Sequence, residues 1–183
     1  MNQRKRQLNP VGWIQLSENG SFQIDSSSEE WQRLSNGSVL SMEENWVVSD
    51  QFGSSSMNIL SVEVHGVNDD PKAYGWTEIP TIEDGQVGGQ LQFSDIDADS
   101  TFAFRIVSGP QGLTINDTGY FSFNLDGAGF KQLSERDTFH VSAVWEVVDE
   151  HGATDQAAIE FSLNGINDPP MPINSSITLQ EDG

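Results

Sequence analysis

Acidic side chains collect at fixed places: Asp95, Asp97 and Asp99 in "SDIDADS", Asp149 and Glu150 in "VVDEHG", Glu83 and Asp84 in "PTIEDG". An Asn-Asp pair stands in "GVNDDP" at residues 66–71 and again in "GINDPP" at residues 165–170. Carboxylates this dense repel one another, so at neutral pH they are stable only if solvated or bridged by a cation. The donors suit calcium, which takes roughly six to eight oxygens from carboxylates, Asn side chains and backbone carbonyls in flexible geometry. An EF-hand loop is excluded, because its sixth position would be Ser100 rather than glycine and its twelfth Ile106 rather than glutamate. Alternation still lets the aspartates project together from a loop after a strand, and Asp97 and Asp99 are expected as ligands. Asp95 stays open between ligand and solvated turn residue. Asp149, Asn68 and Asp69 are further expected ligands, whereas Asp117 and Asp126 read as Asx-turn residues.

Other chemistry finds little support. There is no cysteine, so disulfides, thiolate metal sites and cysteine nucleophiles are excluded. The chain has three histidines and no HExxH, nucleophile elbow or phosphate-binding glycine loop, so no catalytic residue is expected. Eight Lys plus Arg against 28 Asp plus Glu give a net charge of −20, which disfavours nucleic acid and anionic lipid as partners and favours cations. "RKR" at residues 4–6 reads as a solvated tail. No apolar run has the length of a membrane span, and the N-terminus lacks a signal-peptide core, so any export address is expected outside this stretch.

The elements that must position these residues are repeated. Asn68 and Asn167 stand 99 residues apart, and the same offset links Gly20 to Gly119, Trp46 to Trp145, Asp50 to Asp149 and Gly53 to Gly152. A fixed period of this length means tandem domains. Residues 1–71 read as the C-terminal part of one repeat and 72–170 as a whole one. Residues 171–183 then form a linker and the start of another, in which "ITLQEDG" echoes "PTIEDG".

Within the whole repeat, "GQLQFS", "FAFRIV", "LTIN", "YFSFN", "TFHVSAVWEVV" and "AAIEFSLNG" alternate or run apolar between Gly, Asp, Asn and Pro clusters. About seven short strands in about a hundred residues predict an all-β, Ig-like antiparallel sandwich with Greek-key connections. A single helical turn is expected near residues 129–136. The two-residue strand period puts Phe139, Val141, Ala143, Trp145 and Val147 on one face, so Trp145 is expected in the core and Trp46 at its counterpart. Trp31 matches Phe130 and is also assigned to packing. Trp13 and Trp76 lack such partners and are the tryptophans available to a glycan.

Taken in order, the motifs "EDG", "SDIDADS", "GLTINDTGYFSFNLD", "QLSERDTFHVSAVWEVVDEHGATD" and "GINDPP" resemble the VCBS repeat. This is a cadherin-like module found in tandem in very large secreted bacterial proteins, including adhesins of the repeats-in-toxin kind. The resemblance covers residues 80–170 and, in truncated form, about 12–71. It implies calcium at the junctions between modules: Asp97, Asp99 and Asp149 would serve the junction preceding their own domain, with Asn68 and Asp69. Glu83 would serve the following junction, with Asn167 and Asp168. Where the cadherin pattern carries Asp-Arg-Glu after its leucine, this chain has "LSERD"; Ser134 cannot replace a carboxylate, and Glu135 is the acid within reach. The first repeat has "LSNGS" there, so the resemblance implies a weaker calcium site at Asn68 and Asp69.

The expected function is that of a calcium-stiffened extender or adhesion module of a secreted or cell-surface bacterial protein, exported by type I secretion. Its expected partners are neighbouring repeats of the same chain and a surface glycan or protein, without nucleic acid and without membrane insertion. The alternatives are a polysaccharide-binding module using Trp13 or Trp76, and an accessory domain of a secreted hydrolase. The first repeat lacks counterparts of its opening strands, which predicts an open sheet edge where the "SSITLQ" tail of another chain could add as a strand.

Overall fold

A computed structural model describes residues 5–7, 14–17, 20–126, 130, 133–170 and 172–181. In chain order the elements are β1 (Lys5–Gln7), β2 (Ile14–Leu16), β3 (Phe22–Ile24), the short helix α1 (Glu29–Gln32), β4 (Val39–Ser49), β5 (Ser55–His65) and β6 (Lys72–Tyr74). There follow β7 (Trp76–Ile82), β8 (Gln86–Gln90), β9 (Gln92–Ser94), β10 (Phe102–Ser108), β11 (Leu113–Ile115), β12 (Tyr120–Asn124), β13 (Thr138–Asp149) and β14 (Thr154–Asn164). They form two compact units. One draws on Met1–Tyr74, Gln92–Arg105 and Glu146–Ala157, the other on Gly75–Leu91, Ile106–Trp145 and Ala158–Gly183.

In the first unit, β4 and β5 form a long antiparallel hairpin with Trp46 opposite Asn58, and β1 adds along β4. Its turn is built by side-chain chemistry: Asp50 Oδ1 accepts the N–H groups of Phe52 and Ser54 at 2.9 and 3.0 Å, and Gly53 takes φ +88°, where a Cβ would be strained. A second hairpin joins β2 to β3. Trp31 on α1 is buried, as expected, while Trp46 is half-buried. β6 pairs antiparallel with β9, which brings the segment after "GVNDDP" onto the strand leading into "SDIDADS".

In the second unit two sheets face each other across an aromatic core. β12 lies between β11 and β8, and its Phe121 and Phe123 meet Phe161 of β14 at ring-centroid distances of 5.9 and 4.9 Å. Phe121, Phe123, Leu125, Trp145, Ile159, Phe161 and Leu163 are all buried. The other sheet runs β10-β13-β14-β7. The architecture is therefore an all-β sandwich, with one departure from a purely antiparallel plan: β7 pairs parallel with β14, Phe161 facing Ile79. Within β13, Ala143, Trp145 and Val147 are buried as the alternation requires. Phe139, near the strand's start, is half-exposed and leans on Phe130 at 5.7 Å.

The 99-residue period is written in hydrogen bonds. Gly53 N–H to Asp50 O recurs as Gly152 to Asp149, Gly20 to Ser17 as Gly119 to Asn116, and Gly66 to Ser38 as Gly165 to Asp137. Of the helical turn expected near 129–136, residues 129, 131 and 132 lie outside the described residues, and the described ones form no helix, only a turn at 135–136; in the stretch 99 positions earlier, 30–37, residues 30–32 belong to α1.

Candidate functional site

The first unit gathers most of the expected ligands. The chain leaves β5 at Gly66, whose N–H reaches Ser38 O at 2.9 Å; a Cβ there would fall on the carbonyls of Leu34 and Ser35, which is why this position is glycine. Asn68 then donates its amide to Asp149 Oδ2 at 2.8 Å, and the Asp69 N–H reaches Asp97 Oδ2 at 2.8 Å. Asp97 N–H in turn meets Asp95 Oδ1 at 2.9 Å. The turn after β13 copies the Asp50 turn, with Asp149 Oδ1 accepting from His151 and Ala153 at 2.9 and 2.8 Å. Asn68, Asp69, Asp95, Asp97 and Asp149 thus form one linked set.

Two oxygens of this set stand out. Asp97 is only 8% exposed, and its Oδ1 is buried without a hydrogen-bond partner, as is Asp95 Oδ2. A buried, unpartnered carboxylate oxygen is costly unless a cation or proton meets it. Burial, together with the charges of Asp97 and Asp149, pushes the Asp95 carboxyl above the usual range despite the Asp97 N–H bond. Burial acts the same way on Asp149, but the Asn68 amide and the N–H groups of Ala153, His151 and Gly152 together outweigh it and hold Asp149 below the usual range. The Thr101 N–H at 2.8 Å lowers Glu150. Asp99 is exposed and takes φ +62°, so it stands outside this buried set. Among the described residues, no three or more His, Asp or Glu side chains close into a ready metal cage.

Contacts not legible in the sequence complete the site. Ala98 N–H reaches Arg33 O at 3.0 Å, and the Ser35 hydroxyl donates to Ala98 O, so the loop after α1 clasps the middle of "DAD". A hydroxyl donates where a carboxylate only accepts, so serine after the leucine has a use of its own. Nearby, buried Glu146 on β13 is held by Arg105 of β10 and by Gln156 Nε2 of β14 at 2.7 Å.

The remaining candidates lie in the second unit. Glu83 is fully buried; its Oε1 accepts from Ile166 N–H at 2.7 Å and its Oε2 from Leu133 N–H at 3.0 Å. Its carboxylate is thus a stitch between the loop before Ser134 and the exit from β14. Glu135, Asn167 and Asp168 are exposed near the ends of that stitch. Trp76, considered for a glycan, is half-buried and stands edge-on to Phe121, with 6.0 Å between centroids and 82° between planes. Part of its ring is thus used in packing. Trp13 lies outside the described residues.

Comparison with known proteins agrees with this architecture. Drosophila N-cadherin EC1–4 is similar with a TM-score of 0.56 at 13% identity, over 90% of this chain and 42% of that one. A protocadherin gammaB7 EC3–6 cis-dimer structure gives 0.56 at 14% over 88% and 42%. Human mucin-like protocadherin EC1–2 gives 0.50 at 17% over 89% and 85%. The chain spans less than half the length of the first two. At these identities the likeness is one of fold. No curated protein matches the chain. Among the described residues no helix is long and apolar enough to cross a membrane. A family profile described as bacterial Ig domain matches residues 68–162, more than half of the sequence. The chain belongs to the bacterial Ig domain family, which suggests an extracellular structural or adhesive module.

Proposed function

We propose that this chain is an extender of a large secreted or cell-surface bacterial protein, of the VCBS, cadherin-like type, stiffened by calcium where "GVNDDP" meets the "DAD" loop. The observation that carries the reading is Asp97, whose buried Oδ1 has no partner in a cluster made wholly of hard oxygen donors. The donor chemistry suits a calcium ion: Asp95, Asp97 and Asp149 would hold it, with Asn68 and Asp69 from the linker and Asp99 from the rim. Bound there, the ion would supply the positive charge that the clustered carboxylates lack.

The chain's own residues supply the stiffness. Residues 66–74 are tied at Gly66 to Ser38, at Asn68 to Asp149, at Asp69 to Asp97, and at Ala73 to Asp155 Oδ2 at 2.8 Å, while β6 pairs along β9. Buried Pro71 restricts the backbone between those ties. Glu83, Glu135, Asn167 and Asp168 are the corresponding oxygens for a following repeat. Neighbouring repeats are the first partners, a surface glycan or protein the second, and type I secretion the route. The glycan-binding alternative has less support, since Trp76 packs on Phe121.

If free calcium exceeds the dissociation constant a hundredfold, mass action stabilises the folded state by about 2.7 kcal/mol per site. Thermal unfolding and small-angle scattering with calcium and with chelator test the reading. A higher Tm and a narrower distribution of dimensions are expected with calcium; identical profiles would reject it.

A further inference from the structure

In the second unit the sheet β11-β12-β8 has two unlike faces. Strand alternation sends Leu113, Phe121 and Phe123 into the core, where all three are buried. On the outward face the register sets Tyr120 beside Gln90 and Asn124 beside Gln86, with Ser122 between Thr114 and Gly88. No Asp, Glu, Lys or Arg stands at these outward positions, although the chain carries a charge of −20; Asp84, Asp117 and Asp126 fall in turns off the strands. The face offers amides, hydroxyls and one aromatic ring, and no carboxylate.

The ring is laid down on the sheet. A Cβ on Gly88 would come within 2.9 Å of the Tyr120 hydroxyl oxygen and 3.1 Å of its Cε1, so the ring lies across the bare backbone of Gly88, and Tyr120 is still 47% exposed. Glycine inside a strand weakens it and marks a place of close approach to the backbone. The polar groups around the ring are held: Gln86 Nε2 donates to Ser122 Oγ at 2.6 Å, Gln90 Nε2 to Thr118 O at 2.7 Å, and the Thr114 hydroxyl to Ser122 O at 3.2 Å. An amide has two N–H donors and an accepting oxygen, so one internal bond orients Gln86 and leaves capacity for a ligand. At the matching places 99 residues earlier, Ser21, Gln23 and Asp25 stand for Tyr120, Ser122 and Asn124. The ring and the neutrality belong to this sheet and not to its counterpart.

We propose that the outward face of β11-β12-β8 binds a neutral polysaccharide, with the Tyr120 ring as the platform for one sugar and the side chains of Gln86, Gln90 and Asn124 bonding hydroxyls around it. A sugar ring has an apolar C–H face that stacks on an aromatic ring and a rim of hydroxyls that both donate and accept, which amides and hydroxyls match. A glycan bearing carboxylates is disfavoured, because the face has no cation to receive it and the net charge of the chain repels it. Side chains already held by internal bonds lose less freedom on binding. The proposal gives the glycan partner proposed for this chain a place and rests on that partner alone; calcium has no part in it.

Electrophoresis of the whole chain through gels containing dextran, galactomannan or xyloglucan, with an alginate gel as the anionic control and chelator throughout, tests the proposal. The expected result is retardation in at least one neutral gel and none in alginate. Tyr120→Ser should weaken the binding about tenfold and Gln86→Ala about threefold. Tyr74→Ser, at an exposed tyrosine of the first unit, should leave it unchanged. No retardation in any neutral gel, equal retardation in alginate, or binding undiminished in both Tyr120→Ser and Gln86→Ala would overturn it. Self-association of the chain that Tyr120→Ser abolishes would assign the face to a second copy and would overturn it as well.

Discussion

Asn68 donates its side-chain amide to Asp149 Oδ2 at 2.8 Å, tying the segment after β5 to a hairpin turn 81 residues later. One residue on, the Asp69 N–H holds Asp97 Oδ2 at the same distance. These two bonds use donors of the linker on the carboxylates of the cluster. The cluster is thereby assembled, yet Asp97 Oδ1 and Asp95 Oδ2 remain unanswered.

Asp95 separates the cost of that cluster from its use. Its carboxyl is raised, so the stability it allows is complete at low pH and is lost as pH rises through the raised value. Asp95→Asn should therefore raise Tm at pH 7 in chelator and shrink the gain on adding calcium. Calorimetric Tm values for both proteins in both buffers check this; a lower Tm in chelator would contradict it.

Asp149 acts in the opposite sense. Its carboxyl is lowered, so its contribution is present above the ordinary aspartate range, near pH 4, and is lost as pH falls through the lowered value. Asn68→Ala removes the amide donor. Urea midpoints from pH 2 to 7 should show the variant losing about 1 kcal/mol at neutral pH and converging on the parent at the acid end. A constant difference across that range would count against the pairing.

Glu83 is predicted to be structural whatever else it does. Glu83→Ala leaves two buried N–H groups, of Leu133 and Ile166, without the carboxylate, and should cost about 3 kcal/mol in chelator. Urea unfolding of parent and variant measures it. Unchanged stability without calcium would show that the carboxylate matters only as a metal ligand.

The glycines that follow β5 and β14 should be equally intolerant. A Cβ at Gly66 would fall on Ser35 O and one at Gly165 on Ser134 O, so either Gly→Ala change should destabilise by about 2 kcal/mol. The loss should appear in thermal melts with and without calcium; a neutral Gly165→Ala would mean the Leu133–Ser134 loop yields.

The sequence made much of this readable where pattern and geometry coincide. β13 and β14 are long, rich in alternating apolar residues, and bury Trp145 and Phe161. β7 was hidden because it contains Pro80, a residue that argues against a strand. Its parallel partner β14 holds it, and no local signal announces a parallel edge. The acid cluster was legible as composition, but not the division within it: that Asp97 is buried and Asp99 exposed follows from where Ala98 is clasped by Arg33 and Ser35. That Glu83 and Glu146 are buried was not legible, because their partners come from distant parts of the chain.

Calorimetric titration of calcium into the whole chain and into Asp97→Asn tests the central claim most directly. Saturable binding in the parent, weakened at least tenfold in the variant and unchanged in Asp126→Asn, is the predicted result. Equal binding by parent and Asp97→Asn, or no binding by the parent, would contradict it.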